Sequence, residues 1–494
     1  MAGVIILLLV AIAVAAPAQT FTPLATVNTT SSPLIQGMDG NFYGVTPYGG
    51  VNQYNCYIGA GCGTAFRVTP GGTVTVVHTF CTQPSCPDGW WPTSLVRAGN
   101  GNFYGTTAQG GANSSVNCPY GCGTVFEITP TGKLTTLYNF CALSNCADGD
   151  SPQALMQAFG GGFYGDFYGT TSYGGANLLG TVFRITPQGG LTTLYSFCTP
   201  MAGCPDGWYS GQLIQTPGGN FFGAAPAGGS NCPPGNCGAI FRMTPTGTVT
   251  ALQIFDAPTA PNSPLVQGAD GFFYGTTAYG GNDVGGCSEY GCGTVFKISP
   301  AGKVTTLYNF CPEVGCTDGS FPVSGLVLAT DGNFYGTTEG EGTPSLCSVG
   351  FCPGTLFVIS PSGALTTLYE FCSQPDCADG VGSEAALVQG TDGKFYGTSV
   401  EGSDSGIVFS LDVGLAPFVT FLVSTGKVGQ TVGILGQGFT GTTAVSFNGT
   451  PATFTVKSDT FLTAVVPAGA TTGFVTVTTP GGSLRSNIAY RVTQ

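Results

Sequence analysis

Along most of the chain, apolar and polar side chains alternate in short runs broken by Gly, Pro and Asp. That is the period-two pattern of half-buried strands, and no stretch of the repeat region keeps a helical period. In one representative segment, SPLVQG (Ser263 to Gly268) runs into an Asp270-Gly271 turn and then FFYGTT. GTVFKIS follows, then a Pro300-Ala301-Gly302 turn and KVTTLYNF. The segment predicts four strands, here a to d. Val, Thr, Tyr and Phe suit a pleated surface, and Gly, Pro and Asp supply the turns between them.

The same unit recurs. Segments of the NFYGTT type begin at Asn41, Asn102, Phe167, Asn220, Phe272, Asn333 and Lys394. GTVF-like segments end at Phe66, Phe126, Phe183, Phe241, Phe296, Phe357 and Phe409, and LTTLYNF-like segments at Phe80, Phe140, Phe197, Phe255, Phe310 and Phe371. Four strands per unit in seven copies predict an all-β, seven-bladed β-propeller. The seventh unit lacks a strand d of its own, whereas Phe21 to Val27 resembles one. This N-terminal strand is therefore expected to pair within residues 385–412 and close the last blade, leaving no exposed sheet edge. An open solenoid would need capping repeats, and none is visible.

From Ala416 the repeat signatures stop. TVGILGQGF, AVSFNG, ATFTVKS, LTAVVP and GFVTVTTPGG read as short strands of an immunoglobulin-like β-sandwich. The expected organisation is a signal peptide at 1–18, the propeller at 19–414 and the sandwich at 415–494.

Composition narrows the functional classes. Charged residues are 7% of the chain and its net charge is −13, against about 25% charged residues in an ordinary soluble domain. So few Lys and Arg argue against a phosphate-backbone partner, and no nucleic acid is expected. Val4 to Ala16 is unbroken apolar, and Ala16-Pro17-Ala18 reads as a cleavage site, although no Lys or Arg precedes Val4. The stretch is too short for a comfortable membrane span, so it predicts export. No membrane span is expected in the mature chain.

Twenty cysteines in an exported chain suggest disulfides. They fall as Cys56/Cys62, Cys81/Cys86, Cys118/Cys122, Cys141/Cys146, Cys198/Cys204, Cys232/Cys237, Cys287/Cys292, Cys311/Cys316, Cys347/Cys352 and Cys372/Cys377. One type of pair precedes GTVF and the other follows strand d, so both occupy the long b–c and d–a connections, which share one face of the fold. The third repeat lacks the first pair (Asn177-Leu178-Leu179-Gly180) and the fourth lacks the second (Phe255-Asp256-Ala257-Pro258). Each pair comes and goes as a unit, which favours ten short-loop disulfides over four-Cys metal sites. No metal ligands are assigned.

Other candidate chemistry has a structural reading beside it. His78, the sole histidine, occupies the strand d slot held elsewhere by Tyr138 and Tyr195, so no His-based triad or zinc site is expected. Asp39, Asp270, Asp331 and Asp392 precede strand b, and Asp88, Asp148, Asp206, Asp318 and Asp379 follow the second cysteine pair. Repeated carboxylates could bind calcium, but Asp-Gly is also a favoured tight turn; no cofactor is assigned, and calcium stays open. Trp90, Trp91, Trp208 and Tyr209 occupy a variable slot expected to be exposed. They are the candidate ligand-binding residues, able to stack on sugar rings or anchor a protein, or else to cover their own loops.

The repeat, with its DGNFYGTT, GTVF and LTTLY core, resembles the Gloeo_Verruco (GloVer) tandem repeat of bacterial exported proteins. The tail, with Gly433 to Phe439, Val445 to Gly449 and Ala464 to Pro467, is similar to the IPT/TIG immunoglobulin-like domain. The resemblance implies a secreted or cell-surface location and a spacer or interaction role for the tail, with no established activity. The expected function is a non-catalytic scaffold that binds an extracellular glycan or surface protein through its disulfide-stapled loop face. The alternatives are a self-assembling structural component of an extracellular layer or filament, and a polysaccharide lyase or glycosidase.

Overall fold

The computed structural model describes residues 19–493, apart from 29–31, 51–55, 57–59, 160–164, 199–203, 209–210, 229–236, 256–258, 262, 282–286, 288–289, 314–315, 341–352 and 402–404. The expected signal segment, 1–18, lies outside the described residues. Among those described, the repeat region forms seven four-stranded antiparallel sheets. Six follow chain order a-b-c-d. In the second repeat, for instance, the strands are Trp90–Arg97, Phe103–Gln109, Thr124–Ile128 and Leu134–Asn139.

The seventh sheet takes its outer strand from the other end of the chain. Thr20–Asn28 pairs with Ser405–Asp412, with Phe21 opposite Leu411 and Thr26 opposite Ile407. Phe395–Glu401 and Val388–Gln389 complete it. Phe21 stacks on Tyr369 of the sixth repeat at 3.9 Å between ring centroids.

Strand a is shorter than expected. Where the sequence suggests Ser263 to Gly268, only Val266–Gln267 is laddered. Pro264 has no N–H to donate, which limits pairing at that end. In the second repeat the strand runs on past Pro92, but only by shifting register between Pro92 and Ser94.

Consecutive sheets pack through a repeated aromatic contact. A b-strand Tyr or Phe packs on the first b-strand Phe of the next repeat, tilted in Tyr43–Phe103 at 4.4 Å and stacked in Tyr104–Phe167 at 4.2 Å, Tyr168–Phe221 at 4.1 Å, Phe222–Phe273 at 4.1 Å, Tyr274–Phe334 at 4.0 Å and Tyr335–Phe395 at 4.1 Å. Tyr396 of the seventh repeat makes the same contact with Phe42 of the first. Burying such rings is the main stabilising term between sheets, and offset stacking adds about 0.5–1.5 kcal/mol per pair. Hydroxyls cross the same seams: Thr106 donates to the Gln153 carbonyl, Thr170 to Gly211 and Thr276 to Ser324.

The C-terminal segment is a separate β-sandwich. One sheet holds Thr420–Phe421, Thr431–Leu435, Phe461–Val465 and Phe454–Ser458; the other holds Thr450–Pro451, Ala444–Phe447, Val475–Thr479 and Gly482–Arg485. Ile434, Phe447, Leu462, Val477 and Tyr490 form its core.

The sandwich rests on a–b turns of the repeats. Thr460 donates to the Met38 carbonyl at 2.8 Å, Gln437 to the Thr391 hydroxyl at 3.0 Å, and Arg491 to the Pro217 carbonyl. Arg97 bridges the two parts through the carbonyls of Gln36 and Phe421. Burial lowers its pKa to about 10.

Candidate functional site

In a meander sheet the a–b and c–d turns leave one end and the longer b–c and d–a connections leave the other. With the sandwich against the short-turn end, the cysteine-bearing end is the candidate functional face.

Eight of the expected disulfides are present among the described residues: Cys56–Cys62, Cys81–Cys86, Cys118–Cys122, Cys141–Cys146, Cys198–Cys204, Cys287–Cys292, Cys311–Cys316 and Cys372–Cys377. Cys237 is also disulfide-bonded, while Cys232, Cys347 and Cys352 lie outside the described residues. The d–a loops need their bridges. Both cysteines of five such loops adopt left-handed backbone, with φ of 57° and 52° at Cys141 and Cys146. A non-glycine residue there costs about 1–2 kcal/mol, so the turn persists because other bonds hold it.

The second aspartate series supplies some of those bonds. Asp148 accepts from the Tyr138 hydroxyl at 2.9 Å and from the Ala142 and Leu143 amides. Asp206 does the same for Tyr195 and the Cys198 amide, and Asp318 for Tyr308 and the Cys311 amide. In the first repeat His78 takes the tyrosine's place, 3.0 Å from Asp88. The first series works similarly at the short turns, where Asp39, Asp270, Asp331 and Asp392 accept from Tyr43, Tyr274, Tyr335 and Tyr396. These carboxylates thus have structural employment, and burial followed by the carboxylate raises the tyrosine pKa in each pair.

The aromatic candidates separate. Trp90 was expected at the surface but is only 4% exposed. Its ring packs on Cys56, Cys62, Cys81 and Cys86, and its indole N–H donates to the Tyr120 carbonyl. Trp91 is half-buried beside Tyr48, with ring centroids 5.5 Å apart. Trp208 is half-buried and bridged to Ala227. Tyr209 lies outside the described residues.

The residues most open on this face lie outside the ligand-binding set read from the sequence. Val116, Tyr120, Leu143, Tyr173, Leu178 and Tyr290 are six of the ten large hydrophobics exposed among the described residues, and all sit at or beyond the loop ends of strands b or d. Tyr120 and Tyr290 occupy the same Tyr-Gly-Cys-Gly slot, a coincidence legible by internal alignment. Tyr120 also borders a groove of about 440 Å³ with Pro84, Ser85, Trp90 and Asn113. Glu339 and Glu384 form an acidic pair outside both aspartate series. Both remain open to solvent at their surfaces, yet partial burial raises their pKa values, and the Glu384 charge raises Glu339 further.

The two cysteine pairs of a repeat also converge. Cys118, Cys122, Cys141 and Cys146 place all four sulfurs within 4.8 Å of one another, as do Cys287, Cys292, Cys311 and Cys316. Cys56, Cys62 and Cys81 do so in the first repeat.

Comparison with known proteins places these residues in context. The Gloeobacter/Verrucomicrobia repeat model matches residues 13–166, 114–349 and 288–451, and the IPT/TIG domain model matches 417–491. No curated protein matches. Among solved structures, a luciferin-regenerating enzyme is similar at 12% identity and a TM-score of 0.39, covering 66% of this chain and 93% of its own. The extracellular domain of a protein described as a one-component system from B. thetaiotaomicron is similar at 10% identity and a TM-score of 0.47, covering 97% and 58%. A puromycin-hydrolyzing peptidase of Mycobacterium tuberculosis reaches 10% identity and a TM-score of 0.41, covering 76% and 47%. No function passes from these proteins to this chain.

Proposed function

The chain belongs to the Gloeobacter/Verrucomicrobia repeat family and ends in an IPT/TIG domain, and from that premise we propose that its sheets close into a seven-bladed β-propeller serving as an exported, non-catalytic binding scaffold. Its ligand is an extracellular glycan or surface protein, and it binds on the disulfide-stapled loop face. The domains are then 19–414 for the propeller and 415–494 for the sandwich, which docks the propeller from behind.

The observation that carries this reading is the concentration of exposed apolar side chains, Tyr120 and Tyr290 among them, at the loop end. Aromatic rings held on rigid loops lose little entropy on binding and stack on sugar faces or fill protein pockets. Export agrees with the paired cysteines, which persist as disulfides in oxidising compartments. Replacing Tyr120, Tyr290, Trp91 and Trp208 together by Ala should abolish retention on a glycan array or on intact cells. The array separates sugar from protein partners, and binding left unchanged on both would refute the loop-face assignment.

One observation favours a second reading, a polysaccharide lyase or glycosidase: two exposed carboxylates, Glu339 and Glu384, near enough for the charge of one to act on the other, as a paired-carboxylate mechanism requires. Turnover on a polysaccharide panel that disappears in both E339Q and E384Q would establish it.

A further inference from the structure

We propose that each four-cysteine cluster, when reduced, is a closed tetrahedral site for one Zn(II) ion. Along the chain the pairs look independent. In space, Cys122 precedes strand c and Cys141 follows strand d of the same hairpin, so the two ends meet. The sulfur of Cys118 lies 3.6 Å from that of Cys141. In the fifth repeat, Cys287 Sγ lies 3.3 Å from Cys311 Sγ and 3.8 Å from Cys316 Sγ. A tetrahedral zinc with Zn–S bonds of about 2.3 Å requires sulfurs about 3.8 Å apart. The closest contacts between pairs, 3.3 to 3.8 Å, are already near that spacing, and the two bonded sulfurs within each pair must separate to reach it.

The setting is that of a structural site rather than an open catalytic one. Cys118, Cys122 and Cys146 are buried, as are Cys292, Cys311 and Cys316. The Ser115 hydroxyl lies 3.1 Å from Cys118 Sγ, where it can donate to a thiolate. Each disulfide takes two electrons and two protons from a dithiol reductant, which leaves as its own disulfide. Zn(II) then displaces four thiol protons to solvent and is held by four thiolates. The third repeat has Asn177-Leu178-Leu179 where the first pair would stand. Its Cys198/Cys204 pair can offer only two sulfurs, which makes it an internal control.

The mature chain would be reduced with dithiothreitol under argon, freed of reductant, loaded with Zn(II) and counted by mass spectrometry; a parallel sample would be loaded with Co(II). At least two tightly held ions per chain are expected, one for each four-cysteine cluster among the described residues, with the strong visible absorption of tetrahedral Co(II)-thiolate. The C122S/C146S variant should lose one ion and C198S/C204S none. Equal ion counts in those two variants would overturn the proposal, as would absence of the cobalt bands while circular dichroism still reports strands. If reduction alone unfolds the chain, Zn(II) must restore the strand signal, and failure to do so overturns it equally. This result is independent of ligand binding at the loop face, which is assayed on the oxidised protein.

Discussion

The rings of Phe42 and Tyr396 stack with centroids 3.9 Å apart, joining the first repeat of the chain to the last. Gln36 reinforces that seam by donating to the Thr391 hydroxyl at 3.2 Å. Since this contact matches those between consecutive repeats, F42A should destabilise the whole array as an ordinary core truncation does, by about 3–5 kcal/mol. Denaturant unfolding checks this, and a single cooperative transition shifted to lower denaturant is expected.

The tyrosine–carboxylate pairs predict alkaline lability. Burial first, then the acceptor carboxylate, pushes Tyr369 up to about 12, and the hydroxyl of Tyr104, held by Glu127, also to about 12. A free tyrosine titrates near 10. The folded state therefore keeps protons that the unfolded chain loses, and stability falls as pH rises. It should be intact below pH 10 and drain away as pH climbs toward 12. Spectroscopic titration should show the paired tyrosines, Tyr369 and Tyr104 among them, ionising together with unfolding.

The disulfides predict a coupling. Removing one short bridge with C141S/C146S should cost about 2 kcal/mol by chain entropy. Because Cys141 touches Cys118 across pairs, adding C118S/C122S should depart from additivity by about 0.5–3 kcal/mol. The same cycle on Cys141/Cys146 and Cys311/Cys316, in different repeats, should be additive. Urea midpoints of the six proteins in the two cycles decide it.

Arg97 predicts how the sandwich is held. Its guanidinium serves carbonyls on both sides of the junction, those of Gln36 and Phe421. R97A strands both acceptors, at about 1–3 kcal/mol for each left unsatisfied. Proteolysis in the Val413–Pro417 connection should then quicken at least tenfold, while the repeats stay folded.

Much of this architecture is legible in the chain because the repeat signatures are also the packing residues. Phe66, Phe126 and their counterparts are buried in each sheet, so selecting for fold leaves a visible copy number. The N-terminal strand could be read because Leu24-Ala25-Thr26-Val27 has the alternation of LTTLY. The grouping of the cysteine pairs by four was set aside because each pair comes and goes as a unit along the chain, and linear spacing hides the c–d hairpin that brings them together. The role of the second aspartate series was missed too, although a signal existed. The fourth repeat lacks that aspartate and carries Gln253 where its neighbours carry Tyr195 and Tyr308; the two partners disappear together. The burial of Trp90 depends on the disulfides of the preceding repeat and on a carbonyl from the b–c loop of its own repeat, which no local pattern encodes.

Closure of the array is tested most directly by hydrogen exchange of the amides in Thr20–Asn28. Paired along Ser405–Asp412, those that donate into the ladder should exchange only as slowly as the inner strands of the seventh sheet do, and F42A should speed both together. Exchange of this strand at the rate of an unstructured peptide, with Ser405–Asp412 still protected, would contradict a closed propeller.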